Sequence, residues 1–477
     1  MKRNPTTRRR FMQTTAAAAA AATFPELAPA RDGAARPNVL FVLTDQWRFS
    51  SLGIGSDKIV RTPFIDQLAA QGAHWTRAYA ANPVCTPNRS CILTGRYSHQ
   101  TGMIRNNLMI PPEEICFPEI FRKAGYATHY VGKWHVDGEK KPGFVPPGWR
   151  RRGFDTFEGF NRGHYYHKPS TFDNAGNLLT LDGDPSYYEP SYQTDRAMAF
   201  MHKNRENPFL CYLSWGPPHT PFKPPPAFQK YRPGEIQFRE NVPKSEEKQA
   251  AKDLAGYYGL CESLDHEMGR LMKFLERNDL AKNTLVVFTS DHGELAGSHG
   301  KYRKGQPEEE SLHVPLIMRL PGRFEGGKQV DTLINSIDLM PTLLKTCHLE
   351  VPAACAGRDL SDPDTTVESI YCEGALGATA PRQQKKNENF KNWRTLVTPQ
   401  HKMTLQPGEN PVVQLFDLQK DPFERENLAN RADQAAIQKE LLAQCRAWAE
   451  KTEDPWPNPA RAAQSLYSDE EATRARA

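Results

Sequence analysis

A cysteine followed at short spacing by a proline and an arginine is the chain's most suggestive chemical feature. In residues 82–102, NPVCTPNRSCILTGRYSHQTG, Cys85 precedes Pro87 and Arg89, and Cys91 lies six residues after the first cysteine. The two thiols could form a redox pair, half of a metal site, or a nucleophile with a structural neighbour. A catalytic thiol needs a base or a nearby cation, and a lone cysteine is more often a packed residue. The spacing alone leaves these interpretations open.

Four apolar segments of strand length lead into polar side chains that could bind a cation or an anion. The segments are PNVLFVLTD, YATHYVGKWH, PFLCYLSWGPPHTPF and TLVVFTSDHGE. The polar residues at or just after their ends are Asp45, Gln46, Lys133, His135, His219, Asp291 and His292. Continuous apolar runs are typical of parallel strands buried on both faces, and the carboxyl ends of such strands meet at one edge of the sheet. We therefore expect these side chains to converge.

Helical segments separate these strands and indicate the fold class. Amphipathic patterns predict helices at Thr62 to Gly72, Phe117 to Gly125, Thr194 to Asn204 and about Glu247 to Arg277. This alternation predicts an α/β sandwich with a mainly parallel central sheet. The segments NWRTLVTPQHKMTL and PVVQLFDL, with a helix from about Asp433 to Lys451, predict a smaller C-terminal α+β domain.

The chain divides into four predicted parts. Residues 1–30 contain a twin arginine, an Ala-rich core and an APA cleavage candidate, which is typical of a twin-arginine export signal. We expect a catalytic domain over 31–360, the C-terminal α+β domain over 361–455 and a disordered tail over 456–477. No later apolar run is long enough to span a bilayer. The sequence thus predicts export of a folded protein to the periplasm or the medium, without stable membrane insertion.

Composition narrows the classes of function. The chain has 61 basic and 56 acidic residues, but five of the basic residues and one acidic residue lie within the first thirty positions. The remainder is nearly neutral, which argues against nucleic-acid binding. The nine cysteines are scattered without a CxxC pair, so neither a disulfide framework nor a zinc ribbon is expected, although Cys347 and Cys355 could pair.

A long insertion interrupts the alternation of strands and helices between residues 136 and 193, where Gly, Pro and aromatic residues are frequent. Long loops inside a compact domain are usually functional, so we expect this insertion to face the substrate. Its HYYH segment, from His164 to His167, could line a pocket, with Arg162 and Lys168 facing acidic groups of a sugar. A solvated aromatic loop is the alternative interpretation.

The cysteine segment and the strand ends together resemble one known family. Cys85-x-Pro87-x-Arg89 followed by Leu-Thr-Gly resembles the signature of type I sulfatases, the formylglycine-dependent family of the alkaline phosphatase superfamily. Five further motifs resemble the family's own, in its order: DQ, GKWH, PPHTPF, SDHGELAGSHGKYRKGQPEEES and LFDLQKDPFERENLA. The resemblance covers nearly all of the chain after the export signal. It implies an alkaline-phosphatase-like fold and the hydrolysis of sulfate esters.

The resemblance also implies a metal site. Its ligands would be Asp45, Gln46, Cys85 in its modified form, Asp291 and His292, and its ion would be Ca²⁺, with Mg²⁺ or Mn²⁺ as alternatives. Carboxylate and amide oxygens suit these hard cations, and the histidine adds a nitrogen ligand. Sulfatases more often carry Asp-Asp and Asp-Asn at the two metal motifs. The glutamine and histidine of this chain therefore leave the identity of the metal open.

A modified cysteine completes the implied site. The implied catalytic residues are Cys85, Arg89, Lys133, His135, His219 and Lys304. A maturation enzyme would oxidise Cys85 to formylglycine, and one hydroxyl of the hydrated aldehyde would attack sulfur and expel the alcohol. The cationic side chains would neutralise the sulfate oxygens, and His219 or Lys304 would protonate the leaving alcohol. His135 would then help to eliminate sulfate and regenerate the aldehyde.

A sulfated saccharide is the expected substrate because the aromatic and basic insertion suits a sugar, although aromatic faces suit aryl sulfates as well. Two alternatives stay open. One is a phosphonate monoester or phosphodiester hydrolase of the same superfamily, which tends to carry Asp-Gln and Asp-His metal pairs. The other is a non-catalytic binder of sulfated glycans. The expected partners are the substrate, the formylglycine-generating enzyme and the twin-arginine export machinery.

Overall fold

The computed structural model describes residues 36–168, 170–179, 187–362, 364–374, 392–406 and 411–455. The predicted export signal at 1–30 and the predicted tail at 456–477 lie outside these ranges. All described residues belong to one compact unit. Every helix in this part of the chain is too short or too polar to cross a membrane.

Fourteen strands and nine α-helices are formed by the described residues. The strands are β1 (Asn38–Asp45), β2 (Ala73–Trp75), β3 (Ala78–Tyr79), β4 (Ala127–Lys133), β5 (Thr156–Phe160), β6 (Phe209–Pro218), β7 (Thr284–Ser290), β8 (Leu316–Arg319), β9 (Lys328–Val330), β10 (Ile334–Asn335), β11 (Ile370–Gly374), β12 (Trp393–Val397), β13 (His401–Leu405) and β14 (Val412–Asp417). The helices are α1 (Pro63–Gln71), α2 (Cys85–Thr94), α3 (Ser98–Thr101), α4 (Phe117–Lys123), α5 (Glu189–Lys203), α6 (Glu247–Arg277), α7 (Glu309–Leu312), α8 (Leu339–Thr346) and α9 (Ala435–Lys451).

Eight strands form the central sheet in the order β5-β4-β6-β1-β7-β8-β2-β9. The first five run parallel, whereas β8 is antiparallel to both of its neighbours. Successive residues of β1 enter opposite cores: Val39, Phe41 and Leu43 pack on one face, and Leu40 and Val42 pack on the other. Both cores also contain residues from helices, so the sheet is covered on both faces. The predicted α/β sandwich with a mainly parallel sheet is confirmed.

The four strands that lead into polar residues are neighbours in this sheet, in the order β4-β6-β1-β7. Leu43 of β1 pairs with Ser214 of β6 and with Thr289 of β7, so the parallel strands end at nearly the same height. Their carboxyl ends therefore form one continuous edge, which is where ligands bind in open α/β sheets. The segments that follow these strands all start from this edge.

The C-terminal part of the chain forms a separate antiparallel sheet, β11-β12-β13-β14. Its core joins Tyr371, Leu396 and Met403 of the sheet with Leu441 and Cys445 of α9. The predicted C-terminal α+β architecture is confirmed, although the sequence pattern missed β11 and merged β12 and β13 into one segment. The domain boundary at residue 360 stays a prediction.

Helix α5 begins at Glu189, five residues before the predicted start at Thr194. Pro190 occupies the first turn, a position that favours proline because the missing N–H donor would have no partner within the helix. The aromatic and proline content of YYEPSYQ indicates a loop when the sequence is considered alone. The insertion predicted between residues 136 and 193 therefore contains strand β5 and the first turn of α5 as well as loops.

Candidate active site

Helix α2 begins at Cys85, and its first turn is fixed to the ends of two strands. The hydroxyl of Thr86 donates a hydrogen bond to the carbonyl of His135, just after β4, at 2.6 Å. The side-chain amide of Asn88 donates to the carbonyl of Asp291, just after β7, also at 2.6 Å. These contacts hold the start of the helix, and with it Cys85, over the carboxyl edge of the sheet.

The thiol of Cys85 is surrounded by two lysines, a histidine and a carboxylate. Its Sγ lies 2.9 Å from Nζ of Lys304, 3.2 Å from Nε2 of His292, and 3.7 Å from both Nζ of Lys133 and Oδ1 of Asp45. All five residues are buried. Burial and the nearby Asp45 carboxylate raise the pKa of the Cys85 thiol. The unmodified thiol is therefore held protonated and is poorly suited to act as a nucleophile.

Arg89 connects the two acidic residues of the site. Its Nε donates to Oδ2 of Asp291 at 2.9 Å, and its Nη2 donates to Oδ2 of Asp45 at 3.2 Å. Its Nη1 donates to the carbonyl of Lys133 and to the hydroxyl of Ser214, both at 2.8 Å. Nζ of Lys133 pairs with the same Oδ2 of Asp45. Arg89 and Lys133 therefore bind the Oδ2 atoms, while Oδ1 of Asp45 lies 4.0 Å from Nζ of Lys304.

The two Oδ1 atoms lie close to the imidazole of His292. Its Nε2 is 3.6 Å from Oδ1 of Asp45 and 3.4 Å from Oδ1 of Asp291. Its Nδ1 donates to the carbonyl of Gly293 at 3.0 Å, so Nε2 carries the lone pair in the neutral ring. Burial lowers the pKa of His292 to about 4, which keeps the ring neutral at pH 7. Two anionic oxygens and a nitrogen lone pair in one buried space fit a divalent cation.

Gln46 supplies a further oxygen next to this space. Its Nε2 donates to Oε2 of Glu294 at 2.6 Å, and its backbone N–H donates to Oδ1 of Asp291 at 3.1 Å. Its buried Oε1 has no hydrogen-bond partner among the described residues, whereas buried polar atoms are nearly always paired. The side-chain ligand atoms that lie within 4.8 Å of one another belong to Asp45, Cys85, Asp291 and His292. Together with Gln46, this is the predicted set of metal ligands.

Lys304 carries a proton next to position 85. Burial opposes its charge, but Cys85 and Asp45 outweigh that effect and raise the pKa of the ammonium group. The residue after it, Gly305, donates its backbone N–H to the carbonyl of Pro83 at 3.0 Å. This bond fixes the Lys304 loop to the segment that leads into α2. The lysine is thus positioned to donate a proton beside Cys85.

The two predicted catalytic histidines are neutral. Burial and Lys304 hold the pKa of His219 well below its ordinary value, and its Nδ1 donates to the carbonyl of Thr220 at 2.7 Å. Burial and Lys133 lower the pKa of His135 in the same way. Nδ1 of His135 is buried without a hydrogen-bond partner among the described residues, so it can accept a proton. Neither ring forms a hydrogen bond with Cys85 in the described part of the chain.

Two residues that orient the site, Ser214 and Glu294, were not predicted from the sequence. The hydroxyl of Ser214 accepts from Arg89 and donates to the carbonyl of Lys133 at 2.8 Å. Glu294 holds the amide of Gln46. Both lie in segments that the strand pattern singled out, and the signal for Ser214 was a lone hydroxyl near the end of an apolar strand. Cys91 packs in the C-terminal core, away from the chemistry.

If the predicted cation is Ca²⁺, its binding should stabilise the protein, and His292→Ala is expected to abolish most of that stabilisation. At a Ca²⁺ concentration about 100 times its dissociation constant, binding should stabilise the parent protein by about 2.7 kcal/mol. The measurement is the melting temperature with and without Ca²⁺, after treatment with a chelator. His202→Ala, on the exposed side of α5, is the matched control and should keep the full shift. An equal shift in His292→Ala would exclude this histidine from the cation site.

Comparison with known proteins identifies the family to which this chain belongs. The family model described as sulfatase matches residues 37–349, which is well over half of the chain. A second model, described as the C-terminal part of N-sulphoglucosamine sulphohydrolase, matches residues 297–451. The two matches cover both the carboxyl edge of the central sheet and the C-terminal sheet.

Individual relatives agree with the family models. An ulvan-active sulfatase of Formosa agariphila is 33% identical over 430 residues, which cover 87% of this chain and 81% of the relative. An N-acetylglucosamine-6-O-sulfatase of Bacteroides thetaiotaomicron is 22% identical over 497 residues, or 87% and 86% of the two chains. The crystal structure of the sulfatase-like protein yidJ from Bacteroides fragilis superimposes with a TM-score of 0.79 at 26% identity, over 89% of this chain and 98% of the other. The chain belongs to the sulfatase family and is a sulfatase enzyme.

Proposed function

We propose that this sulfatase cleaves sulfate monoesters of carbohydrates with a formylglycine made from Cys85 and a bound divalent cation, Ca²⁺ in the first instance. The observation that carries the proposal is the environment of Cys85. Its Sγ lies within 3.7 Å of two lysines, of a carboxylate and of a histidine, at the start of a helix. A raised thiol pKa makes an unmodified cysteine a poor nucleophile there, which supports the modified residue.

A cation is supported by the residues that would hold it: Asp45, Gln46, residue 85, Asp291 and His292. When bound, it would stabilise negative charge on the sulfate oxygens as a Lewis acid. The hydrated aldehyde would supply a hydroxyl for attack on sulfur and a route to release sulfate by elimination. Ca²⁺ suits the oxygen ligands, and Mg²⁺ or Mn²⁺ could bind to the same set of ligands.

The chain's own side chains would bind the ester and move its protons. Arg89, Lys133 and Lys304 outnumber the two carboxylates of the site, so the site favours an anionic substrate. Lys304 is the better placed of the two proposed proton donors, because Nδ1 of His219 is already bonded to a carbonyl and its Nε2 carries the lone pair. His135 is neutral, and its Nδ1 has no hydrogen-bond partner among the residues that the structure describes, so it would take the proton during the release of sulfate.

A carbohydrate substrate is supported by the relatives and by the insertion. One relative is named for activity on ulvan and another for a sulfate of N-acetylglucosamine. In the insertion, Nζ of Lys141 lies over the ring of Tyr165, 5.5 Å from its centroid, and Lys168 is exposed. Exposed basic groups beside an aromatic face suit an anionic sugar chain.

Maturation and export would precede this activity. A formylglycine-generating enzyme would act on the unfolded segment around Cys85, and the twin-arginine signal would then direct the folded protein to the periplasm or the medium. This order of events is part of the proposal. It is supported by the sequence of residues 1–30 and by the deep burial of Cys85 once the chain has folded.

The matured protein should hydrolyse an aryl sulfate faster than an aryl phosphonate with the same leaving group, by on the order of 10²-fold in kcat/KM. A defined panel of sulfated saccharides should then include a better substrate than the aryl sulfate. Both rates are measured against Cys85→Ala protein as background. A preference for the phosphonate would favour the phosphonate hydrolase of the same superfamily. Binding of sulfated glycans without any turnover would favour a non-catalytic binder.

A further inference from the structure

His164 of the insertion stacks directly on His219 of the active site. The two ring centroids are 3.7 Å apart and the ring planes differ by 1°, so the imidazoles lie face to face in full contact. His164 follows Gly163, whose φ is +139°, and a side chain at residue 163 would collide with the ring of Tyr165. The local backbone therefore depends on glycine to bring His164 over the site.

Tyr166 fixes the tautomer of His164. The phenol oxygen of Tyr166 lies 2.5 Å from the carbonyl of His219, 3.0 Å from that of Gly216 and 3.3 Å from Nδ1 of His164. A phenol has a single proton, and the two carbonyls can only accept it. The phenol oxygen must therefore accept at the third contact, and Nδ1 of His164 donates to it. In the neutral ring, Nε2 of His164 then carries a lone pair.

The neutral state of His164 follows from its surroundings. Burial, His219 and Lys133 hold the pKa of His164 well below its ordinary value. Its Nε2 is bonded to no protein group in the described part of the chain. His164 is mostly buried but keeps some exposed surface, whereas His219 beneath it is buried. His164 thus offers one free acceptor at the entrance of the site.

We propose that Nε2 of His164 accepts a hydrogen bond from a substrate hydroxyl group next to the sulfate ester. This contact selects polyol sulfates, such as sugar sulfates, over aryl sulfates. The acceptor cannot bind the sulfate group, whose oxygens carry no proton. It needs an O–H or N–H donor on the alcohol part of the substrate. Most simple aryl sulfates have no such donor, whereas nearly every sugar sulfate has one. This inference rests on the proposed function of the same site.

The test compares the parent protein with His164→Phe on three substrates after maturation. Phenylalanine keeps a flat ring over His219 but has no acceptor nitrogen. The substrates are 4-nitrophenyl sulfate, the saccharide sulfate that the parent protein cleaves best, and the deoxy analogue of that saccharide without the neighbouring hydroxyl. For the saccharide sulfate, kcat/KM should fall about tenfold in His164→Phe, as expected for one lost hydrogen bond. For 4-nitrophenyl sulfate and the deoxy analogue, it should stay within about twofold of the parent value.

The matched control is His202→Phe on α5, where the side chain is exposed and its Nδ1 contacts Oδ1 of Asn278 at 3.1 Å. It should leave all three rates unchanged. An equal loss on all three substrates in His164→Phe would mean that His164 only supports His219, and this would overturn the proposal. The proposal would also be overturned if His164→Phe cleaved the saccharide sulfate at the parent rate, or if the parent protein cleaved no saccharide sulfate. Turnover of 4-nitrophenyl sulfate that depends on Cys85 would sustain the proposed formylglycine chemistry in each of these cases. The lack of any saccharide substrate would also refute the carbohydrate part of the proposed function.

Discussion

Replacing Cys85 by alanine is expected to lower the turnover of sulfate esters by at least about 10⁴-fold, because it removes the precursor of the nucleophile. The folded structure should persist. Sγ of Cys85 contacts two lysines of the site, and both lysines keep Asp45 as an opposite charge when the thiol is removed. The measurements are kcat/KM on an aryl sulfate and the melting temperature of the same preparations.

Intact mass provides a second observable for the same residue. Conversion of the thiol to an aldehyde lowers the mass by about 18 Da, and Cys85→Ala should abolish this shift in protein made with the maturation enzyme. Cys91→Ala is the matched control. It changes the same residue type in the same helix, in a packed position of the C-terminal core. It should cost about 1 kcal/mol of stability but keep both the mass shift and the turnover. Full activity of protein that lacks the mass shift would refute the formylglycine proposal.

The carboxyl edge of the sheet was the most predictable part of the molecule. A strand buried on both faces consists mainly of apolar residues, so a change to Asp45 or Asp291 marks its end in the sequence. Parallel strands align these ends regardless of the loops between them. This is why residues as distant in the chain as Lys133 and Asp45 could be placed together from the sequence alone.

The orientation of those residues could not be predicted. Gln46 depends on Glu294, 248 positions later in the chain, and Arg89 depends on Ser214, 125 positions away. Such contacts follow from the register of neighbouring strands, and no local pattern encodes them. The stacking of His164 on His219 has the same origin. The sequence indicated an aromatic loop near the substrate, but the tautomer of His164 follows only from its hydrogen bond to Tyr166.

Arg89→Ala is expected to lower turnover by on the order of 10²–10³-fold and the free energy of unfolding by about 3–5 kcal/mol. Both effects have one cause. Arg89 is buried and donates to both carboxylates of the site, and its loss would leave the Oδ2 atom of Asp291 without its cation. The carboxylates would then shift or take up protons, and the sulfate oxygens would lose a neighbouring positive charge. The measurements are kcat/KM on an aryl sulfate and urea denaturation.

Two further variants separate catalysis from stability. Arg89→Lys keeps the charge but cannot reach both carboxylates, because a lysine lacks the planar fork of the guanidinium group. It should recover more of the stability than of the activity. Arg394→Ala removes another buried arginine, which is paired with Asp454 in the C-terminal part of the chain. It should destabilise the protein to a similar degree and leave kcat unchanged below the unfolding transition. Near-parental turnover in Arg89→Ala would mean that Arg89 is not a catalytic residue. A loss of stability alone would not support a catalytic role, because Arg394→Ala should show the same loss.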